Sequence, residues 1–418
     1  MLNQTKVRTA FTQKRDDFHS FREEQYRQNL TIEQRLTEFL RMDANNIAQR
    51  LALLDVRFSG AIPTVEFDRA HQLCMPFESH VWHNHQHARA WAMSILQNSP
   101  VLAVDGSQIM SSLDFSLPVG AVQIGWFFNP HQAGTQYIKD VRFELISPKE
   151  LQEAGEEDAP LGAIASDGDF SNWLIQQRRF VGECEQICTF MQTYKTEHPA
   201  EALTSFFDGT FVISFAGQLR QPRARPYLNA MSRLLYTSKE TQCPVIGFVD
   251  NSQSHDLVKL INLVTDPIST TSTNSDTAPH LISVSDAAVA ARYLPNWGDR
   301  TPFFICDRDD QLSRDNFVDF YNDVIFCYMR LASDRSPARI EFPRWTLDAG
   351  LAEAVINIIR AECIVGTGYP YAIETADALA VLTQQDRQRF YAMLQQFVEQ
   401  DGMQLTMARK ARSKRTRR

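Results

Sequence analysis

The chain has 418 residues, of which 44% are hydrophobic, 11% aromatic and 22% charged, an ordinary globular composition that excludes a collagen-like fibre, wholesale disorder and a disulfide-stapled miniprotein. Net charge is −8, but the end Ala408–Arg418, ARKARSKRTRR, holds seven Lys/Arg and no acid, which leaves −15 on the remainder. A cationic tail on an acidic body suits contact with a polyanion such as nucleic acid through Arg415, Arg417 and Arg418, or else is a solubilising disordered end.

From Thr31 to Leu54 the apolar residues Ile32, Leu36, Phe39, Leu40, Ile47, Leu51 and Leu54 recur at helical spacing between charges, which predicts an amphipathic helix for packing or dimerisation. A second helix is expected over Glu78–Gln97. It holds His80, His83, His85 and His87, and His83 and His87 stand one turn apart as a metal pair would. No acid or cysteine joins them, and they read as surface and packing histidines. Val101–Val104 ends in Asp-Gly-Ser, and with Val119–Phe128 and Gln136–Ile146 it reads as a three-stranded meander. The acidic stretch Leu151–Asp169 reads as a loop, Trp173–Tyr194 as a helix, and Leu203–Phe207 as an apolar run ending in Asp-Gly-Thr. Then come a helix near Pro226–Thr237, a strand at Val245–Val249 and a polar loop at Asp266–His280. Strands at Phe303–Cys306 and Val324–Leu331 and helices at Leu351–Cys363 and Pro370–Leu382 follow. The order implies a mixed α/β domain around a sheet, behind an N-terminal helical extension. The seven scattered cysteines form no C-x-x-C pair and read as reduced thiols. With no apolar leader and no run of ~18 apolar residues, the chain reads as cytoplasmic, neither secreted nor membrane-spanning.

VLAVDGSQ (Val101–Gln108) and SFFDGTF (Ser205–Phe211) share one design. Apolar residues lead a buried strand to a carboxylate, and the glycine after it removes a side chain that would block a ligand approaching the backbone. Asp105 and Asp208 are therefore expected at strand ends, the alternative for each being a plain hairpin turn. Mg²⁺ or Mn²⁺ takes hard oxygen ligands, and two carboxylates alone hold one weakly, so further acids are needed. In QQRRFVGECEQICTFM the apolar stripe is Phe180, Cys184, Ile187, Cys188 and Met191. Glu183 borders this stripe and Glu185 lies farther round, which favours Glu183 as the residue facing the sheet over a plain surface Glu. In GTGYPYAIETADALAVL, Asp377 falls on the face of Ile373, Ala376, Ala380 and Val381, where a buried carboxylate must be paired, protonated or metal-bound. Tyr369 stands eight residues earlier. Arg178 and Arg179, with Arg220, Arg223 and Arg225 of LRQPRARP, could reverse the acidic field near such a site, or form a solvated surface.

The order AVDGSQ, a meander, R-x-x-x-E (Arg179 to Glu183), FFDGT, VIGFVD (Val245–Asp250), EFPRW (Glu341–Trp345) and GYPYAIETAD resembles the NurA nuclease family over about Val101–Leu382. The resemblance implies an RNase H-like mixed sheet flanked by helices. It implies domains at 1–98 (helical extension), 99–385 (nuclease domain) and 386–418 (C-terminal helix and basic tail). It also implies a DNA nuclease dependent on Mn²⁺ or Mg²⁺, with two ions, acting as a 5′–3′ exonuclease or single-strand endonuclease. Its expected partners are a HerA-type hexameric ATPase in DNA end processing and a second copy in a homodimer, at the nucleoid. Carried over position by position, the family acids fall on Asp105, Glu183 and Asp208 and its tyrosine on Tyr369. Archaeal members place a histidine where this chain has Asp377. A catalytically weak adaptor or clamp and an RNase H-like ribonuclease are the competing readings.

Overall fold

The structure, a computed structural model, describes residues 2–54, 56–77, 82–112, 115–156, 172–266, 284–315 and 318–402. The basic tail, most of the Asp266–His280 stretch and residues 157–169 of the Leu151–Asp169 stretch lie outside them; the start of that last stretch, expected as a loop, belongs to the helix Pro148–Glu156. Among the described residues the strands are β1 (Gly60–Pro63), β2 (Val101–Ile109), β3 (Gly120–Asn129), β4 (Ile138–Ile146), β5 (Thr204–Asp208), β6 (Val245–Val249), β7 (Phe304–Asp307), β8 (Val324–Met329) and β9 (Ala338–Pro343). The chain divides into two compact units, Met1–His80 with Val249–Arg344, and Val81–Phe248 with Trp345–Arg418.

In the first unit the strands run in the order β1-β7-β8-β9, antiparallel throughout. The helix expected over Thr31–Leu54 is two helices, Arg15–Phe39 and Ala44–Leu54. Asp43 breaks the pattern, because its carboxylate accepts from the Asn46 amide at 2.7 Å and so starts a new helix. Ile32, Leu36, Phe39 and Ile47 are buried within this unit. Both β8 and β9 are buried at every residue, yet β9 carries Arg339 and Glu341. The two charges are paired internally, although Arg339 Nη2 is buried without a hydrogen-bond partner among the described residues. Arg339 donates from Nε to Glu341 at 2.6 Å and from Nη1 to Asp256 at 2.8 Å. Asp286 accepts from the Leu257 and Val258 amides that open the Asp256–Thr265 helix, and from the Tyr328 hydroxyl. Glu341 of EFPRW is thus an ion partner inside this unit.

The second unit holds the strand order β6-β5-β2-β3-β4. β2, β3 and β4 form the expected antiparallel meander, while β5 and β6 join β2 in parallel. Helices flank both faces of this mixed sheet. Successive strand residues face opposite sides, and β2 and β3 show what covers each. A Cβ on Gly106 would meet side chains of the Asn172–Glu197 helix, and one on Gly125 would meet the backbone of the Tyr371–Ala380 helix at Ala380. Glycines on both faces let helices approach closely enough to bring their side chains to the strands. The histidine helix starts only at His85, capped by Asn84, whose side chain accepts from the His87 amide. His83 lies before the helix, and its ring meets that of His87 edge-on with centroids 5.8 Å apart. All seven cysteines are free thiols. Among the described residues no helix is long and apolar enough to cross a membrane.

Glu362, on the Ala352–Val365 helix, ties two helices together. Its buried carboxyl accepts from the Ala372 amide at 2.8 Å, a free amide at the start of the Tyr371–Ala380 helix, and lies 3.8 Å from His131 Nε2. Burial pushes Glu362 up to about 7 and His131 down, so in mildly acidic solution Glu362 keeps its proton. The folded chain therefore keeps a proton on Glu362 that the unfolded chain releases near its ordinary value of 4.5, and this group's contribution to stability falls as pH rises from there to about 7. Glu362→Gln removes that dependence while leaving an acceptor for Ala372. The stability of wild type relative to the variant, from urea unfolding, is expected to drop by roughly 3 kcal/mol between pH 4.5 and 8. Parallel curves for the two proteins contradict this.

Candidate active site

β2 does not end at Asp105. It pairs with β3 along its whole length, Asp105 opposite Gly125 and Gly106 opposite Ile124. The expectation of a strand end there is corrected, because the tight meander carries the ladder straight through Asp-Gly-Ser. β5 does end at Asp208. The parallel register sets Val104 beside Phe207, so Asp105 and Asp208 are the next residues along on neighbouring strands, which lie ~4.8 Å apart.

Glu183 reaches this corner from the Asn172–Glu197 helix and is buried, whereas Glu185 is exposed. Glu183 comes so close to β2 that a Cβ on Gly106 would lie 2.5 Å from its Oε1. The glycine makes room for the chain's own acid, rather than for an outside ligand. Arg179, one turn earlier, donates from Nη1 to Glu183 Oε1 at 3.0 Å and to the Gly106 carbonyl at 3.2 Å. Burial pushes Glu183 up to about 8, opposed by Arg179 and aided by the charges of Asp105 and Asp208. Burial likewise pushes Asp105 up to about 6; its Gly106 amide contact and Arg179 oppose this, while Asp208 and Asp377 add to it. Three carboxylates thus sense one another's charge around a single glycine.

The Tyr369 hydroxyl donates to Asp208 Oδ1 at 3.0 Å, and its ring packs edge-on against Phe248 of β6. Asp377 sits on the Tyr371–Ala380 helix but is exposed, against the expectation of a buried position. The buried stripe is Ala372, Ile373, Thr375, Ala376 and Ala380, centred slightly to one side of Asp377, which leaves that carboxylate at the solvent edge within the field of Asp105. This helix is fixed at both ends. Glu362 holds its first turn, and Gln123 Nε2 donates to the Leu379 and Ala380 carbonyls. Just beyond it the Leu382 amide donates to Ser107 of the Asp-Gly-Ser motif. Glu362 and Gln123 were not singled out by sequence reasoning. An acid in an otherwise apolar helix (AEAVINIIRAECIV) was the available signal for Glu362.

Of the expected arginines, only Arg179 enters the acidic corner among the described residues. Arg178 is exposed and pairs with Glu144 and Glu150 at 3.6 and 3.8 Å. Arg223 stacks over Trp173, 4.6 Å from the ring centre, and Arg220 and Arg225 are exposed. Arg415, Arg417 and Arg418 lie outside the described residues. Among those residues no group of three or more His, Cys, Asp or Glu is placed to hold a metal ion as it stands. The donor chemistry nonetheless fits a hard cation, since every donor is an oxygen and the desolvated, mutually repelling carboxylates are what a dication stabilises.

Acids gathered at neighbouring positions of parallel strands, with a phenol beside them, make this corner the candidate site. The sequence matches the NurA domain over residues 99–382, and the chain belongs to the NurA family of nucleases. No curated protein sequence matches it. Among solved structures it is similar to a NurA crystal structure with manganese, at 10% identity and a TM-score of 0.37, over 71% of this chain and 89% of that one. It is also similar to the catalytic domain of human endonuclease V, at 13% identity and TM-score 0.31, over 77% and 91%. A third is Ciona intestinalis endonuclease V in complex with an inosine-containing 23mer DNA, at 12% identity and TM-score 0.30, over 74% and 95%. The family match, not these distant likenesses, carries the assignment.

Gly106→Ala tests the packing of this corner. The added Cβ would lie 2.5 Å from Glu183 Oε1, 2.8 Å from Arg179 Cγ and 2.9 Å from Ile124 Cδ1, too close on every side. Overpacking of this kind predicts a loss of about 1–3 kcal/mol in urea unfolding, together with at least a ~10-fold loss of nuclease activity through displacement of Glu183. Unchanged stability and activity would show that Glu183 does not need this approach.

Proposed function

We propose that this chain is a metal-dependent DNA nuclease that hydrolyses phosphodiester bonds in DNA end processing, as a homodimer with a HerA-type hexameric ATPase. The observation that supports it most is the crowding of Asp105, Glu183 and Asp208 around Gly106, with the Tyr369 hydroxyl on Asp208. Asp105 and Asp208 are the residues that would hold Mn²⁺ or Mg²⁺ jointly, with Glu183 and Asp377 completing the oxygen donor set. When bound, one or two such ions supply Lewis acidity toward a phosphate oxygen and lower the pKa of a water. The chain's own contribution is placement. The parallel β2/β5 register fixes the two aspartates, Gly106 admits Glu183, and the helix tethers at Glu362 and Gln123 hold Asp377 and Tyr369 in reach. Tyr369, now donating to Asp208, is the group to hold a phosphate oxygen at the scissile bond. Cleavage on this plan yields 3′-hydroxyl and 5′-phosphate ends, by 5′–3′ exonuclease or single-strand endonuclease action.

DNA has to approach an acidic body, so cations are needed along its path. Arg220 and Arg225 are exposed near the start of the Gln221–Thr241 helix and suit phosphate contact, as does the basic tail. The Arg178 pairs are exposed ones of the kind worth ~0–1 kcal/mol, which a phosphate readily replaces.

The test is hydrolysis of end-labelled single-stranded DNA, double-stranded DNA and RNA with Mn²⁺ or Mg²⁺. Asp105→Ala and Asp208→Ala are each expected to reduce DNA cleavage by roughly 100-fold or more, EDTA is expected to abolish it, and RNA is expected to compete poorly. Cleavage that neither substitution changes refutes the assignment of this corner. A clear preference for RNA refutes the DNA reading and favours the ribonuclease one.

A further inference from the structure

Arg179 occupies the place where a cation is called for. It sits four residues before Glu183 on the same helix, and its Nη1 bridges the Glu183 carboxylate and the Gly106 carbonyl, the peptide oxygen next to Asp105. Its Cγ lies 2.8 Å from where a Gly106 Cβ would be, so its stem, like Glu183, is accommodated by the glycine. The two partners differ in access. The Glu183 side chain is 6% exposed and that of Arg179 35%, so the carboxylate is anchored inside while the guanidinium can leave toward solvent. Arg179 Nε is buried and, among the described residues, has no hydrogen-bond partner. The guanidinium therefore holds the acid with an incomplete set of bonds, which makes its resting position one from which it can be displaced.

A guanidinium and a divalent cation compete for the same carboxylate, because a dication arriving at Glu183 Oε1 repels the guanidinium held there at 3.0 Å. The guanidinium brings one charge spread over a plane. A hard dication brings two, concentrated at a point among several acids. We propose that Arg179 is a built-in stand-in cation, which holds the Glu183 carboxyl group while the site is empty, is displaced from it by the divalent metal, and then binds a phosphate oxygen of the substrate. Metal loading and phosphate binding are thereby coupled through one side chain, since the guanidinium is free for phosphate only once Glu183 has another partner. This inference rests on the metal-dependent reading of the site and adds the order in which its charges are exchanged.

The test uses the full chain and reads binding, not turnover. Mn²⁺ affinity is measured by isothermal titration and by the loss of the free-ion electron paramagnetic resonance signal. The proteins are wild type, Arg179→Met and Arg179→Gln, either variant sufficing if the other does not fold. Losing the competitor is expected to tighten Mn²⁺ binding by about 10-fold, equivalent to ~1.4 kcal/mol. With Ca²⁺ in place of Mn²⁺ to hold back cleavage, binding of a short single-stranded oligonucleotide is expected to weaken by about 10-fold. In a chain that already carries Glu183→Gln, adding Arg179→Met is expected to leave Mn²⁺ affinity unchanged. A wild-type chain that takes up no Mn²⁺ overturns the metal reading itself. A wild-type chain that takes up Mn²⁺, with the variants binding it no tighter, overturns this inference alone.

Discussion

The structure depends on repulsion among carboxylates that the fold presses together. Asp105 and Glu183 prefer water and distance from other acids; burial denies them the first, and the nearby charge of exposed Asp208, set beside Asp105 by the parallel register of β2 and β5, denies them the second. The outcome is visible in protonation, with Glu183 up at about 8 and Asp105 at about 6 even with Arg179 among them. Groups held in this way favour whatever positive charge enters, and among the described residues the chain itself supplies only the single guanidinium of Arg179 at that corner.

Holding such an arrangement requires that its supports do not yield. Asp105 lies in the middle of β2, opposite Gly125 of β3 and one residue past the last pair with β5, where the ladder leaves its backbone little freedom. Asp377 comes from a short helix, Tyr371–Ala380, that would be free to tilt, and Tyr369 stands two residues before it. Glu362 at its first turn, Gln123 at its last carbonyls and Ser107 just beyond it fix that helix to the sheet. Glu362 does so from a buried position shared with His131, where burial raises its pKa to about 7 and so reduces the negative charge the tether adds.

Much of this was legible in the sequence where the signal is local. The meander, the two Asp-Gly motifs and the long helix all announce themselves through alternation or 3.6-residue spacing, and Glu183 separates from Glu185 by its angle to the apolar stripe. What failed was whatever depends on pairing across space. Asp-Gly-Ser looks like a turn, yet β3 holds it in the ladder. Asp377 looks buried by helical angle, yet the face that touches β3 is set by how close Gly125 lets the helix come. β9 does not show as a strand because Arg339 and Glu341 break its apolar run, and only their pairing with each other and with Asp256 makes burial possible. Asp43 divided the expected N-terminal helix because a capping side chain outweighs continued apolar spacing.

The claim beneath the whole account is that these separate stretches of chain make one cation-binding corner. Diffraction from crystals soaked in Mn²⁺, with data collected at the manganese absorption edge, tests it most directly. The account predicts an anomalous peak within about 2.5 Å of carboxylate oxygens of both Asp105 and Asp208. A peak bound elsewhere, with neither aspartate touching the ion, would contradict it.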